Sequence, residues 1–126
     1  MKVISLKDCP EFTAGDNSLL REILSPLKDK TLRINYSMAY AKVKPGQRTL
    51  LHSLDRSEVY HIIRGKGVMQ IHGEKKEVKV GDTIYIPPNA HQRIQNTGKE
   101  ELIFICIVEP AWEKKGEKVL EETDPG

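Results

Sequence analysis

Two blocks in the middle of the chain gather its most chemically capable residues. The first reads Gly46-x5-His52-x-Leu54-x3-Glu58-x6-Gly65 and the second Gly81-x5-Pro87-x-Asn89-x2-Gln92-x3-Asn96. Side chains alternate faces along a strand, so His52, Leu54, Glu58 and Tyr60 are expected to share one face while the pairing stays regular. An imidazole, a carboxylate and a phenol on one face can hydrogen-bond a small molecule, move a proton or reach a metal ion. A plainer arrangement is also open, with His52 and Glu58 bonded to each other and Tyr60 a core aromatic whose hydroxyl is satisfied. If Glu58 points into an interior it must be paired or bind an ion, because an unpaired buried charge is expensive. His61 and His91 are out of phase with this set. His91 reaches inward only if the loop at Pro87-Pro88-Asn89 re-aims it.

Strands must position these groups. Segments rich in Val, Ile and Tyr recur with Gly, Pro or Asn between them, the mark of many short antiparallel strands. The pattern predicts strands over 19–24, 32–43, 57–63, 67–72, 75–80, 83–86, 92–96 and 102–108. Turn chemistry stands between them at Pro45-Gly46, Gly65-Lys66-Gly67, His72-Gly73-Glu74, Gly81-Asp82 and Asn96-Thr97-Gly98. A meander of this kind has to close or stack, since open edges invite aggregation, and a small double-sheet jelly-roll barrel meets that need. Tyr36, Met38 and Tyr40 alternate on one strand face and are expected in a core or an interface. Trp112 is expected at the barrel's end or in a subunit contact.

With 126 residues the chain suits one compact domain. The organisation predicted is an extended arm and strand over 1–31, a barrel over 32–108 and a charged tail over 109–126 that frays or packs loosely. Lys and Glu are mixed along the chain to a net charge of +2, which argues against a nucleic-acid partner. The longest apolar stretch, 102–108, is strand-sized, and residues 1–10 carry no run of signal-peptide length, so a cytoplasmic protein with no membrane partner is expected. Cys9 and Cys106 suggest neither a disulfide framework nor a metal knuckle, and Cys106 reads as a small core residue. There is no nucleotide-binding glycine loop, no Cys-x-x-Cys pair, no Gly-x-Ser-x-Gly elbow and no His-Glu-x-x-His helix.

Taken together, the two blocks resemble the paired signature of the cupin superfamily. Every spacing fits, but that pattern has a second His where Leu54 stands, a Gly at Asn89 and a His at Gln92. The resemblance is greatest to small single-domain members of the mannose-6-phosphate-isomerase-like type, which pair a run like His52 to Tyr60 with one like Ile86-Pro87-Pro88-Asn89 and an Ile-Val-Glu-Pro-Ala-Trp end. It implies an all-β double-stranded β-helix barrel and a homodimer. It also implies a divalent transition metal, Zn, Mn, Fe or Ni, held by His52, Glu58 and Gln92. Tyr60 and His91 are then the candidate catalytic residues, moving a proton in isomerase- or epimerase-type chemistry on a small polar or sugar-like ligand. Loss of two imidazoles keeps a metal-free small-molecule binder open, with an iron-dependent oxygenase further off.

Overall fold

The computed structural model describes residues 1–121. Eleven strands form: β1 (Phe12–Thr13), β2 (Leu19–Leu24), β3 (Ser37–Val43), β4 (His52–Leu54), β5 (Ser57–Arg64), β6 (Lys66–Ile71), β7 (Glu74–Lys79), β8 (Thr83–Ile86), β9 (Gln92–Asn96), β10 (Leu102–Glu109) and β11 (Glu117–Val119). They pair antiparallel into a six-stranded sheet, β1-β2-β3-β10-β5-β8, and a five-stranded sheet, β11-β4-β9-β6-β7. The two inner faces enclose the core as a small jelly-roll barrel, the all-β fold expected from the turn-and-strand rhythm. Among the described residues no helix is long and apolar enough to cross a membrane.

Period-two alternation decides which side chains point inward. Along β10, Leu102, Phe104, Cys106 and Val108 are buried while Ile105 and Ile107 turn outward. Along β5, Glu58, Tyr60 and Ile62 are buried and Val59, His61 and Ile63 are not. The register places Tyr60 opposite Cys106 and Ile84, so this part of the interior is built from residues far apart in sequence. Phe104 and Ile62 pack at its centre, with Ile86, Ile94 and Leu102 around them.

Gly67 lets β6 and β9 approach closely, because a Cβ there would overlap the backbone carbonyl of Gln95 on the paired strand. Neither backbone can give way without breaking the ladder. Gly67→Ala is therefore expected to destabilise the fold by about 3 kcal/mol. Urea denaturation checks this, with a lowered midpoint at an unchanged slope as the expected outcome.

Two expectations are corrected. The strand predicted from Leu32 begins only at Ser37, because residues 25–32 are consumed by turns in which Ser25 and Asp29 carbonyls accept from Lys28, Asp29 and Leu32 amides. The tail does not fray over its described part. Glu117, Lys118 and Val119 pair with Leu54, Ser53 and His52, and Ala111 and Gly116 are buried. Three backbone bonds fasten it: Ala111 N–H to Asn35, Asp55 N–H to Gly116 and Leu120 N–H to Leu51. The remainder of the tail, 122–126, lies outside the described residues.

Candidate functional site

A cavity of about 500 Å³ opens inside the barrel, with His52, Glu58, Tyr60, Asp16 and Glu117 on its polar side and Leu20, Ala41, Leu54, Phe104 and Val108 among its apolar walls. β4 turns His52 and Leu54 inward, β5 supplies Glu58 and Tyr60, and β9 supplies Gln92 directly opposite His52. Gln92 is 1% exposed and sits behind Glu58 and Tyr60.

Tyr60, Gln92 and Glu58 form a linear hydrogen-bond chain. Tyr60 Oη donates to Gln92 Oε1 at 3.1 Å, and Gln92 Nε2 donates to Glu58 Oε1 at 2.9 Å. The Tyr60 ring leans on Phe104 with centroids 4.4 Å apart, which fixes the hydroxyl's direction. His52 is held separately. Its Nδ1 lies 2.7 Å from the Leu50 carbonyl, which can only accept, so Nδ1 carries the proton. Its Nε2 faces Asp16 Oδ2 at 3.5 Å, while Asp16 Oδ1 accepts from the Ser18 amide and hydroxyl at 3.0 and 2.6 Å. His52 and Glu58 therefore answer to different partners.

Burial dominates the electrostatics. Taking the Glu58 carboxyl out of water pushes its pKa up to about 8, the Gln92 bond opposes this, and the negative charges of Asp16 and Glu117 add to it. Glu117 is raised by burial too, against the bond its Oε2 accepts from Trp112 Nε1 at 2.9 Å. The Tyr60 phenol and the Cys106 thiol are pushed well above their ordinary values by burial and then by Glu58, so both stay neutral. At neutral pH the site contains a carboxylic acid rather than a carboxylate at position 58.

The structure brings His52, Glu58, Tyr60 and Gln92 together. It does not bring in His91, which is exposed on the outer side of the same sheet with its ring 5.2 Å from that of His72. The Pro87-Pro88-Asn89 loop leaves the strand parity intact. His61 is also exposed and bonded to Thr83 Oγ1 at 2.9 Å. Sequence reasoning missed Asp16 and Glu117. Asp16 arrives on the β1–β2 turn, which the bond from the Leu50 amide to the Asp16 carbonyl ties beside β4. Its Gly15-Asp16-Asn17-Ser18 setting signalled a turn but not its destination. Glu117 depends on the unforeseen β11 pairing and left no local signal.

A resident transition metal needs three or four donors converging at about 2.0–2.3 Å. Among the described residues no three His, Cys, Asp or Glu side chains are grouped so as to hold one. Leu54 has no donor atom, and the oxygen of Gln92 is engaged by Tyr60 while its nitrogen is engaged by Glu58. As folded, this donor set does not fit a resident metal. Gln92 instead acts as the satisfied link of a buried network. Gln92→Leu preserves volume but strands the Tyr60 hydroxyl and a Glu58 oxygen, and is expected to cost about 2–4 kcal/mol in stability. A loss below about 1 kcal/mol on chemical denaturation would show that the chain is not formed.

Comparison with known proteins agrees with this architecture. The family model described as the cupin domain matches residues 39–108. An uncharacterised protein of Methanocaldococcus jannaschii is 41% identical over 111 residues, covering 87% of each chain. An oxalate-binding protein of Thermotoga maritima is 28% identical over 68% of this chain and 73% of its own. The solved structure of a cupin 2 conserved barrel domain protein from Salinispora arenicola superposes with a TM-score of 0.74 over 91% of both chains at 17% identity, a likeness of fold alone.

Proposed function

This chain belongs to the cupin family, and on that footing we propose that its barrel binds a small, largely apolar molecule bearing hydrogen-bonding groups, without a resident metal. One observation carries the reading: the Tyr60–Gln92–Glu58 chain satisfies at the cavity wall the groups that a metal would otherwise need. The guest is enclosed by apolar walls and oriented by a few polar groups, the usual composition of a small-molecule site. Tyr60 and Gln92 orient Glu58, Glu58 offers a proton to the guest, and His52 presents its Nε2 edge to the cavity beside Asp16. Oxalate, which the Thermotoga maritima relative's name specifies, is a poor candidate here, because a dianion would enter beside Asp16 and Glu117.

A second reading is favoured by the carboxyl itself. A group with a pKa near 8 exchanges protons readily near neutrality, so isomerase- or epimerase-type proton transfer to the bound guest by Glu58 is chemically suited to the site. Solvent deuterium entering a carbon-bound position of an added uncharged sugar, and absent with Glu58→Gln, would support it. A homodimer is also proposed, since register places Val59 between Ile107 and Tyr85 on the outer sheet face and the last two are exposed. Sedimentation at the monomer mass would remove it.

The principal reading is tested on protein purified without chelator, by native mass spectrometry together with metal analysis. Organic ligand and less than about a tenth of an equivalent of transition metal are expected. About one equivalent of metal, with ligand lost on chelation, would overturn it.

A further inference from the structure

Two of the four histidines are engaged through their rings, His52 with the Leu50 carbonyl and His61 with Thr83 Oγ1. The other two, His72 and His91, have no ring hydrogen bond among the described residues and stand beside each other, with centroids 5.2 Å apart and planes tilted by 42°. They come from separate elements. His72 is the first central residue of the β6–β7 hairpin, and His91 immediately precedes β9. The His72 N–H donates to the His91 carbonyl at 2.8 Å, carrying the β6–β9 ladder one step past the Ile71–Gln92 pair. The backbone therefore fixes the two residues side by side. His72 and Gly73 both have positive φ, 48° and 84°. A two-residue hairpin turn of that kind favours Asn followed by Gly. Here an imidazole takes the Asn position, next to a second imidazole. Both rings are exposed, and neither lines the barrel cavity.

Two imidazoles so placed make half of a tetragonal metal site. A metal–nitrogen bond of about 2.0 Å sets an ion about 3.1 Å from each ring centroid, so rings on adjacent positions have centroids roughly 4.4 Å apart and rings on opposite positions roughly 6.2 Å. The observed 5.2 Å needs less than about 1 Å of closure to reach the adjacent arrangement, and the outer torsion of an exposed imidazole is broad. Among the described residues no carboxylate or thiol joins the pair, and Glu74, two residues from His72, is turned to Lys76 at 3.8 Å. Two nitrogen donors completed by water select copper(II), which favours tetragonal nitrogen and oxygen ligands and heads the divalent affinity order. We propose that His72 and His91 form an exchangeable copper(II) site on the outer face of the barrel. The ion ties the β6–β7 hairpin to the segment before β9, so its binding stabilises the fold by mass action. Two protein donors hold it loosely enough that it leaves on desalting, and the metal content of the isolated protein then reports on the barrel alone.

Copper(II) titration of the desalted full chain at neutral pH tests this, read by electron paramagnetic resonance and by competition with glycine. One ion per chain is expected, with hyperfine structure from two imidazole nitrogens, and Zn²⁺ and Ni²⁺ should bind at least about 10-fold more weakly. His72→Asn keeps the turn, because Asn tolerates positive φ. That variant and His91→Gln should each lower copper affinity at least about 10-fold, since losing even an outer partner of a ligand costs that much. His61→Gln, which removes an exposed imidazole with no second ring beside it, should change nothing. Copper should raise the unfolding temperature of the unaltered protein and not that of the double variant His72→Asn with His91→Gln. Copper held undiminished by the double variant would lie at the amino terminus or in the barrel and would overturn the proposal. A spectrum showing a single nitrogen, or Zn²⁺ bound as tightly as Cu²⁺, would overturn it equally. None of these outcomes decides what occupies the cavity, which answers to the mass-spectrometric test.

Discussion

Raising the pH from 5 to 9 is expected to weaken the fold by about 4 kcal/mol through Glu58 alone. Its carboxyl titrates near 8 in the folded protein against 4.5 for the free group. Below 4.5 it is protonated in both states, and the stability linked to it is fully present. Between 4.5 and 8 the unfolded chain ionises while the folded one keeps its proton, so stability falls by about 1.4 kcal/mol per unit. Above 8 the loss is complete. The buried Tyr60 and Cys106 act with the same sign at higher pH, since both are held neutral in the fold. Glu58→Gln keeps an oxygen for the Gln92 donor and removes the titration. Urea midpoints at pH 5, 7 and 9 should therefore drop for the natural protein and drop much less for the variant, which keeps only the raised Glu117 carboxyl. A level midpoint for the natural protein would mean that the carboxyl is solvated or paired with a cation.

The second large effect is a gain of metal binding. Leu54 and Gln92 occupy the two positions where the cupin pattern has imidazoles, and both face the interior, at 4% and 1% exposure. Gln92 lies directly across from His52, and Leu54 is two residues along the same strand face from it. The double replacement Leu54→His with Gln92→His would surround Glu58 with three imidazoles, a donor set suited to divalent transition metals. Uptake of Ni²⁺ or Zn²⁺ is expected to go from below about a tenth of an equivalent to about one, with at least a 100-fold gain in affinity over the natural protein. Without metal the variant should be less stable, because the Tyr60–Gln92–Glu58 chain is cut, and added metal should restore it by mass action. Competition against a chromophoric chelator gives the readout. No gain in affinity would mean that positions 52, 54, 58 and 92 do not converge, and the description of the cavity would fail with them.

What sequence could and could not reveal follows from the range of the interactions involved. β5 and β10 are long enough for period-two alternation to emerge, so their bounds were foreseen to within a residue and the inward set of Glu58 and Tyr60 came with them. Parity alone sends His91 outward, and the re-aiming by the Pro87-Pro88-Asn89 loop that a catalytic His91 required is not found. β1, β4 and β11 span only two or three residues each, too short for any period, and exist because a partner strand is there to pair with. The C-terminal segment read as solvated because its residues are charged. Its order comes from the pairing with β4, about sixty residues away in sequence, and the Trp112–Glu117 bond within the tail forms on that frame. The same long-range pairing delivers Glu117 to the cavity, and the β1–β2 turn delivers Asp16. That is why the acidic character of the site was invisible in the two motif blocks.

With its carboxyl still protonated at pH 7, Glu58 is a poor ligand for a resident metal. A ¹³C NMR titration of its side-chain carboxyl, on protein with and without prior chelation, measures that protonation directly. The expected result is a midpoint near 8 that chelation does not move. A carboxyl ionised down to the ordinary range near 4.5, or one whose titration changes when metal is stripped, would contradict the account.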